Sequence, residues 1–105
     1  MTTDFNKEYE ILEQVILENN PHADINLIKK AYFFGEENHR GQKRNSGEDY
    51  FIHPIAVAKT LSNMKLDDQT ICAGLMHDVL EDTDITYDQM KEIFGEEITV
   101  LVEGV

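Results

Sequence analysis

Tryptophan is absent from this 105-residue chain, cysteine occurs once and proline twice. The single thiol, Cys72, cannot close an internal disulfide. It sits between Ile71 and Ala73 and reads as a small buried residue in a reducing cytoplasm. No apolar run approaches the ~20 residues that a membrane-spanning helix needs. The opening residues, Met1-Thr2-Thr3-Asp4-Phe5, lack the basic region and apolar stretch of a secretory signal. Neither export nor a membrane partner is therefore expected. Basic residues are scarce as well. Nine Lys and Arg stand against 21 Asp and Glu, a net charge of −12. A general grip on nucleic acid needs a basic face to meet phosphates, and this balance argues against one.

What is present suits one small domain. A hydrophobic content of 41% supplies a core, and the length allows only one. The charge is uneven. Residues 77–103 carry nine acids and one lysine, whereas residues 1–44 carry eight acids and six bases. Three of those bases, Arg40, Lys43 and Arg44, are close together. An anionic substrate would meet a small basic loop rather than a basic surface.

The periodicity is helical throughout, and no strand is convincing. Ile11, Leu12, Val15 and Ile16 mark a first helix, stopped by Asn19-Asn20-Pro21. Asp24 caps a second, carrying Leu27, Ile28, Ala31, Tyr32 and Phe34 and ended by Gly41. A polar loop follows to Asp49, with Asn45, Ser46 and Gly47 as turn formers. Pro54 favours the first position of a third helix, through Val57, Ala58 and Leu61. Asp67 or Asp68 caps the fourth, which carries Ile71 and Leu75. Thr86 and Gln89 make a capping box for the next, ended by Gly95. A last helix begins near Glu96, with Ile98, Leu101 and Val102 seeking partners. The chain stops there, so residues 1–105 are expected to be a fragment of a larger domain. Repeats, low-complexity segments and linkers are not seen.

The densest chemistry is His77-Asp78-Val79-Leu80-Glu81-Asp82. Continued as a helix, it places His77, Asp78, Glu81 and Asp82 on one polar stripe, with Val79 and Leu80 turned away. Three acids on one stripe repel one another and call for a cation. Adjacent imidazole and carboxylate donors suit Mn, Fe, Co or Zn better than Ca. A solvated acidic face with a stray histidine is the plainer alternative. Upstream, His53 precedes Pro54, which biases it toward extended backbone at a helix entrance. It is either a capping residue or a third ligand. His39 reads as a packed or dipole-stabilising histidine, and His22 as a surface loop residue.

Four stretches carry a resemblance. They are Gly41-Gln42-Lys43-Arg44-Asn45-Ser46-Gly47-Glu48-Asp49-Tyr50-Phe51-Ile52-His53-Pro54, then Leu75 to Thr83, then Phe94-Gly95, then Leu101-Val102-Glu103-Gly104-Val105. In combination and spacing they resemble the N-terminal hydrolase domain of the Rel/SpoT family of the bacterial stringent response. The resemblance implies an all-α HD-domain helical bundle, truncated here at its C-terminus. It implies Mn²⁺-dependent removal of the 3′-pyrophosphate of ppGpp and pppGpp, giving GDP or GTP plus pyrophosphate.

By that resemblance His53, His77 and Asp78 are metal ligands, and Glu81 and Asp82 the catalytic acids. Arg44 would lie against the guanine, with Lys43 and Ser46 near the nucleotide. A fourth ligand, an aspartate, is expected beyond the chain end, followed by synthetase and regulatory domains. Arg44 could stack its flat guanidinium on a purine, or simply pair with Glu48. Lys43 could be solvated, and Ser46 could only close the turn. Asn45 and Asp49 depart from the family pattern, the second adding negative charge near the site. Gly35 and Asn38 replace small alanines, the glycine at a helix-propensity cost of up to ~1 kcal/mol. Two other readings stand beside this one: an HD phosphohydrolase of a different nucleotide, and a non-catalytic regulatory module.

Overall fold

Three aspartates start three helices in the same way. Asp4, Asp24 and Asp67 each accept a hydrogen bond from the backbone amide three residues on, at Lys7, Leu27 and Thr70. Each thereby satisfies an amide that the first helical turn leaves free. The computed structural model describes residues 3–104. Met1 and Thr2 of the opening segment, and Val105 of the closing one, lie outside the described residues. In order the helices are α1 (Phe5–Asn19), α2 (Ile25–His39), α3 (Ile52–Asn63), α4 (Asp68–Met76), α5 (Val79–Asp82), α6 (Tyr87–Phe94) and α7 (Glu96–Glu103). Among the described residues there is no strand. A single bridge, Lys43 to Asp49, crosses the loop between α2 and α3. The all-α expectation holds.

Helix α4 is the centre. All six residues from Ile71 to Met76 are buried, as expected of a helix that is apolar all round. It packs against α2, α3 and α7, while α1 lies on α3 and α2. Burial of Cys72 pushes its thiol up to about 12, which leaves it inert as a nucleophile. On the α2 side the core is aromatic. Tyr32 meets Tyr9 and Phe51 edge-on at 5.0 and 5.2 Å, and its hydroxyl donates to the Phe5 carbonyl at 2.7 Å.

Several expectations change. Ile11 is 43% exposed; the buried face of α1 is Tyr9, Leu12 and Ile16. Helix α3 begins at Ile52, so His53 lies inside its first turn and Pro54 is its third residue. Amides of the first turn need no intrahelical acceptor, so proline fits there without losing a bond. Ile98 and Val102 are buried within the chain, whereas Leu101 is 38% exposed. Gly35 is a contact point rather than only a propensity cost. A Cβ there would lie 2.6 Å from Phe51 Cε1 and 3.0 Å from the Leu75 carbonyl oxygen. The missing side chain lets α2 close on Phe51 and α4. Gly95 separates α6 from α7 with φ of +88°, backbone that favours glycine. No described helix is long and apolar enough to cross a membrane.

Candidate metal centre

The polar stripe expected on one continuous helix is broken. Helix α4 ends at Met76, and α5 resumes only at Val79. The His77 ring lies back on its own helix, its Nδ1 2.8 Å from the Gly74 carbonyl oxygen. That carbonyl is the acceptor the Asp78 amide would use in an uninterrupted helix. The break turns His77 and Asp78 toward α3, which packs on α4.

There they meet His53. One ligand atom from each of His53, His77 and Asp78 can be chosen so that all lie within 4.8 Å of one another. The two imidazole rings are edge-on at 5.5 Å between centroids. All three residues are partly buried.

The hydrogen-bond geometry of this cluster favours a cation. A carbonyl oxygen only accepts, so the proton of neutral His77 is on Nδ1. Its Nε2 lone pair then faces Asp78 Oδ2 at 3.1 Å. Two acceptors at that distance repel unless the ring is an imidazolium or a cation lies between them. Two imidazole nitrogens and a carboxylate oxygen are a donor set for a first-row divalent ion. Three protein donors leave further coordination positions for water or substrate. The residues present therefore fit a divalent metal.

Two side chains outside the expected set organise it. The Tyr50 hydroxyl lies 2.7 Å from Asp78 Oδ2 and 3.0 Å from Asp82 Oδ2. Burial, then hydrogen bonding to Asp78 and Asp82, pushes the Tyr50 phenol above its ordinary range. Gln42 donates from Nε2 to the Asp82 carbonyl at 2.9 Å. Its Oε1 lies 3.1 Å from Nδ1 of His39. His39 is buried and stacked on the Tyr50 ring at 4.9 Å, the packed role expected for it. His22 is exposed, also as expected. Tyr50 and Gln42 stand within the loop stretch that carries the resemblance, with no role of their own assigned there.

The two acids Glu81 and Asp82 do not share one environment. Asp82 is tied to Tyr50 and, through its backbone, to Gln42. Glu81 instead lines a cavity of about 450 Å³ beside His77, with Leu80, Ile85, Tyr87 and Val102. Across the loop, Lys43 is ion-paired with Asp49. That pairing, with help from Thr3, holds the Asp49 carboxyl down to about 2. Asp49 thus spends its charge on Lys43. Arg44 and Ser46 are exposed. Arg44 bonds Glu48 and Gly47 only through its backbone, at 2.9 and 2.8 Å. Among the described residues its guanidinium makes no ion pair.

Comparison with known proteins fits this geometry. The family described as "HD domain" matches residues 31–105. The chain belongs to the HD-domain family. The matched span holds every residue of the candidate centre, from Gln42 on α2's exit loop to Asp82. Over 97 residues the HD chain is 46% identical to the bifunctional (p)ppGpp synthase/hydrolase SpoT of Escherichia coli strain K12, covering 92% of this chain and 14% of that protein. Over 96 residues it is 49% identical to a guanosine-3′,5′-bis(diphosphate) 3′-pyrophosphohydrolase of Aquifex aeolicus, covering 91% and 14%. Over 98 residues it is 44% identical to the GTP pyrophosphokinase rsh of Brucella melitensis, covering 93% and 13%. The chain spans about one seventh of the length of these curated relatives, and the Rel/SpoT resemblance runs through nearly all of it.

Proposed function

We propose that this chain is the N-terminal portion of an HD-type hydrolase domain that acts on ppGpp and pppGpp. It releases the 3′-pyrophosphate and leaves GDP or GTP. The observation that carries this reading is the convergence of His53, His77 and Asp78 within 4.8 Å, in a chain whose relatives are named for that hydrolysis. The same reading takes Mn²⁺ as the metal, a guanine nucleotide as the substrate and the cytoplasm as the location. It places the chain in a longer enzyme, with a fourth ligand and synthetase and regulatory domains downstream.

Releasing pyrophosphate intact requires water to attack the phosphorus joined to the ribose 3′-oxygen. A divalent ion, when bound, supplies a Lewis acid for that phosphate and a lowered pKa for water. The chain supplies the rest. His53, His77 and Asp78 hold the ion. On this reading Glu81, which lines the cavity beside His77, orients the water and takes its proton. On the same reading Asp82, beside Tyr50, holds a proton for the leaving oxygen. Arg44 is exposed on the loop and free to stack on the guanine. Ser46 lies beside it in the turn, and Lys43 reaches phosphate only by exchanging Asp49 for it.

The test is turnover by the full-length protein, stripped of metal and then reconstituted. Pyrophosphate release from ppGpp should return best with Mn²⁺, and Asp78→Ala should abolish it. Full activity in excess chelator would refute the metal reading. A panel of other nucleotides turned over faster than ppGpp would redirect the substrate.

A further inference from the structure

Tyr50 has one phenolic proton and two carboxylates within reach, Asp78 Oδ2 at 2.7 Å and Asp82 Oδ2 at 3.0 Å. One O–H makes one good hydrogen bond at a time. The shorter contact takes the proton, and Asp82 then faces a phenol oxygen without one. The ring itself cannot move freely, because it stacks on buried His39. Asp82 is anchored from the backbone side by Gln42. The Asp78 oxygen it serves is also the one 3.1 Å from His77 Nε2, where a cation would draw charge from it.

We propose that Tyr50 is a positioning residue that links the metal site to Asp82. While Asp78 is unoccupied, the hydroxyl donates to it and holds its carboxylate toward His77. When a cation takes a second lone pair of Asp78, the hydroxyl keeps that donation, and its oxygen stays beside Asp82 Oδ2. One side chain thereby orients a ligand and stands against the acid next to the substrate. This rests on the metal part of the reading above but not on the identity of the substrate.

The experiment is Mn²⁺ titration of the full-length protein, followed by the electron paramagnetic resonance of the free ion, with helix content from circular dichroism. Tyr50→Phe keeps the ring and its stack and removes only the hydroxyl. Its Mn²⁺ dissociation constant should rise roughly tenfold, as for other partners that orient a ligand, with helix content unchanged. Asp82→Asn should stay within about threefold of the parent, because Tyr50 still serves Asp78. With ppGpp, Tyr50→Phe should lower kcat more than it raises KM. Parent-like Mn²⁺ affinity in Tyr50→Phe overturns the proposal and leaves Tyr50 a packing residue. A loss in Asp82→Asn as large as in Asp78→Asn also overturns it, since Asp82 would then be a ligand itself. A tenfold loss in Tyr50→Phe without ppGpp turnover by the parent sustains the link and removes only the substrate reading.

Discussion

Phe51 closes on Gly35 so tightly that a Cβ at position 35 would sit 2.6 Å from the Phe51 Cε1. Phe51 is 2% exposed and held between the rings of Phe5 and Tyr32, so it has little room to give. It directly follows Tyr50 and lies two residues before His53. The contact therefore sets where the ligand-bearing turn stands against α4.

Gly35→Ala puts two effects against each other. Helix propensity favours alanine by ~1 kcal/mol. Overpacking costs ~1–3 kcal/mol, and the second obstacle, the Leu75 carbonyl, is backbone. The variant should be less stable, with a melting temperature lower by several degrees. A higher melting temperature would show that the crossing relaxes easily.

Glu81→Gln preserves shape and removes the charge. Glu81 is not one of the three clustered donors, so bound Mn²⁺ should stay at the parent level. Hydrolysis of ppGpp should fall by ~10²-fold or more if Glu81 takes a proton from water. Metal content measured on the same samples separates the roles. Loss of metal together with rate would make Glu81 a ligand.

Arg44→Lys keeps the charge and loses the flat guanidinium. With no ion pair to break among the described residues, its effect should be on the nucleotide alone. KM for ppGpp should rise through lost stacking, with the melting temperature unchanged. An unchanged KM would leave Arg44 without a stacking role.

Acid should weaken the loop in a defined window. The folded Asp49 carboxyl is held down to about 2, against 3.8 for the free group, first by Lys43 and then by Thr3. A depressed folded value means the contribution is present above 3.8 and lost as pH falls toward 2. The Lys43–Asp49 pair is partly exposed, so the effect should be small and salt-sensitive. Thermal melts of the parent and Asp49→Asn should differ near neutral pH and converge near the lower limit. A difference that persists there would assign the effect to packing instead.

The sequence by itself determined the helices and the chemical types at the site. Capping aspartates, the Thr86–Gln89 box and the apolar periods are local signals, and local hydrogen bonds realise them. His-Pro and His-Asp pairs within a recognisable spacing marked His53, His77 and Asp78 as candidates. Tertiary structure alone decided how these come together. The break after Met76 arises where the His77 ring takes the Gly74 carbonyl, a competition that helical periodicity does not register. Glu81 and Asp82, consecutive on α5, face different surroundings, the first the cavity beside His77 and the second Tyr50. Tyr50 and Gln42 entered for a similar reason. A tyrosine three residues before a histidine is unremarkable until folding brings its hydroxyl to carboxylates 28 and 32 residues away. Side-chain hydrogen bonds across such separations depend on the packing of α3 against α4, and no one-dimensional pattern encodes them.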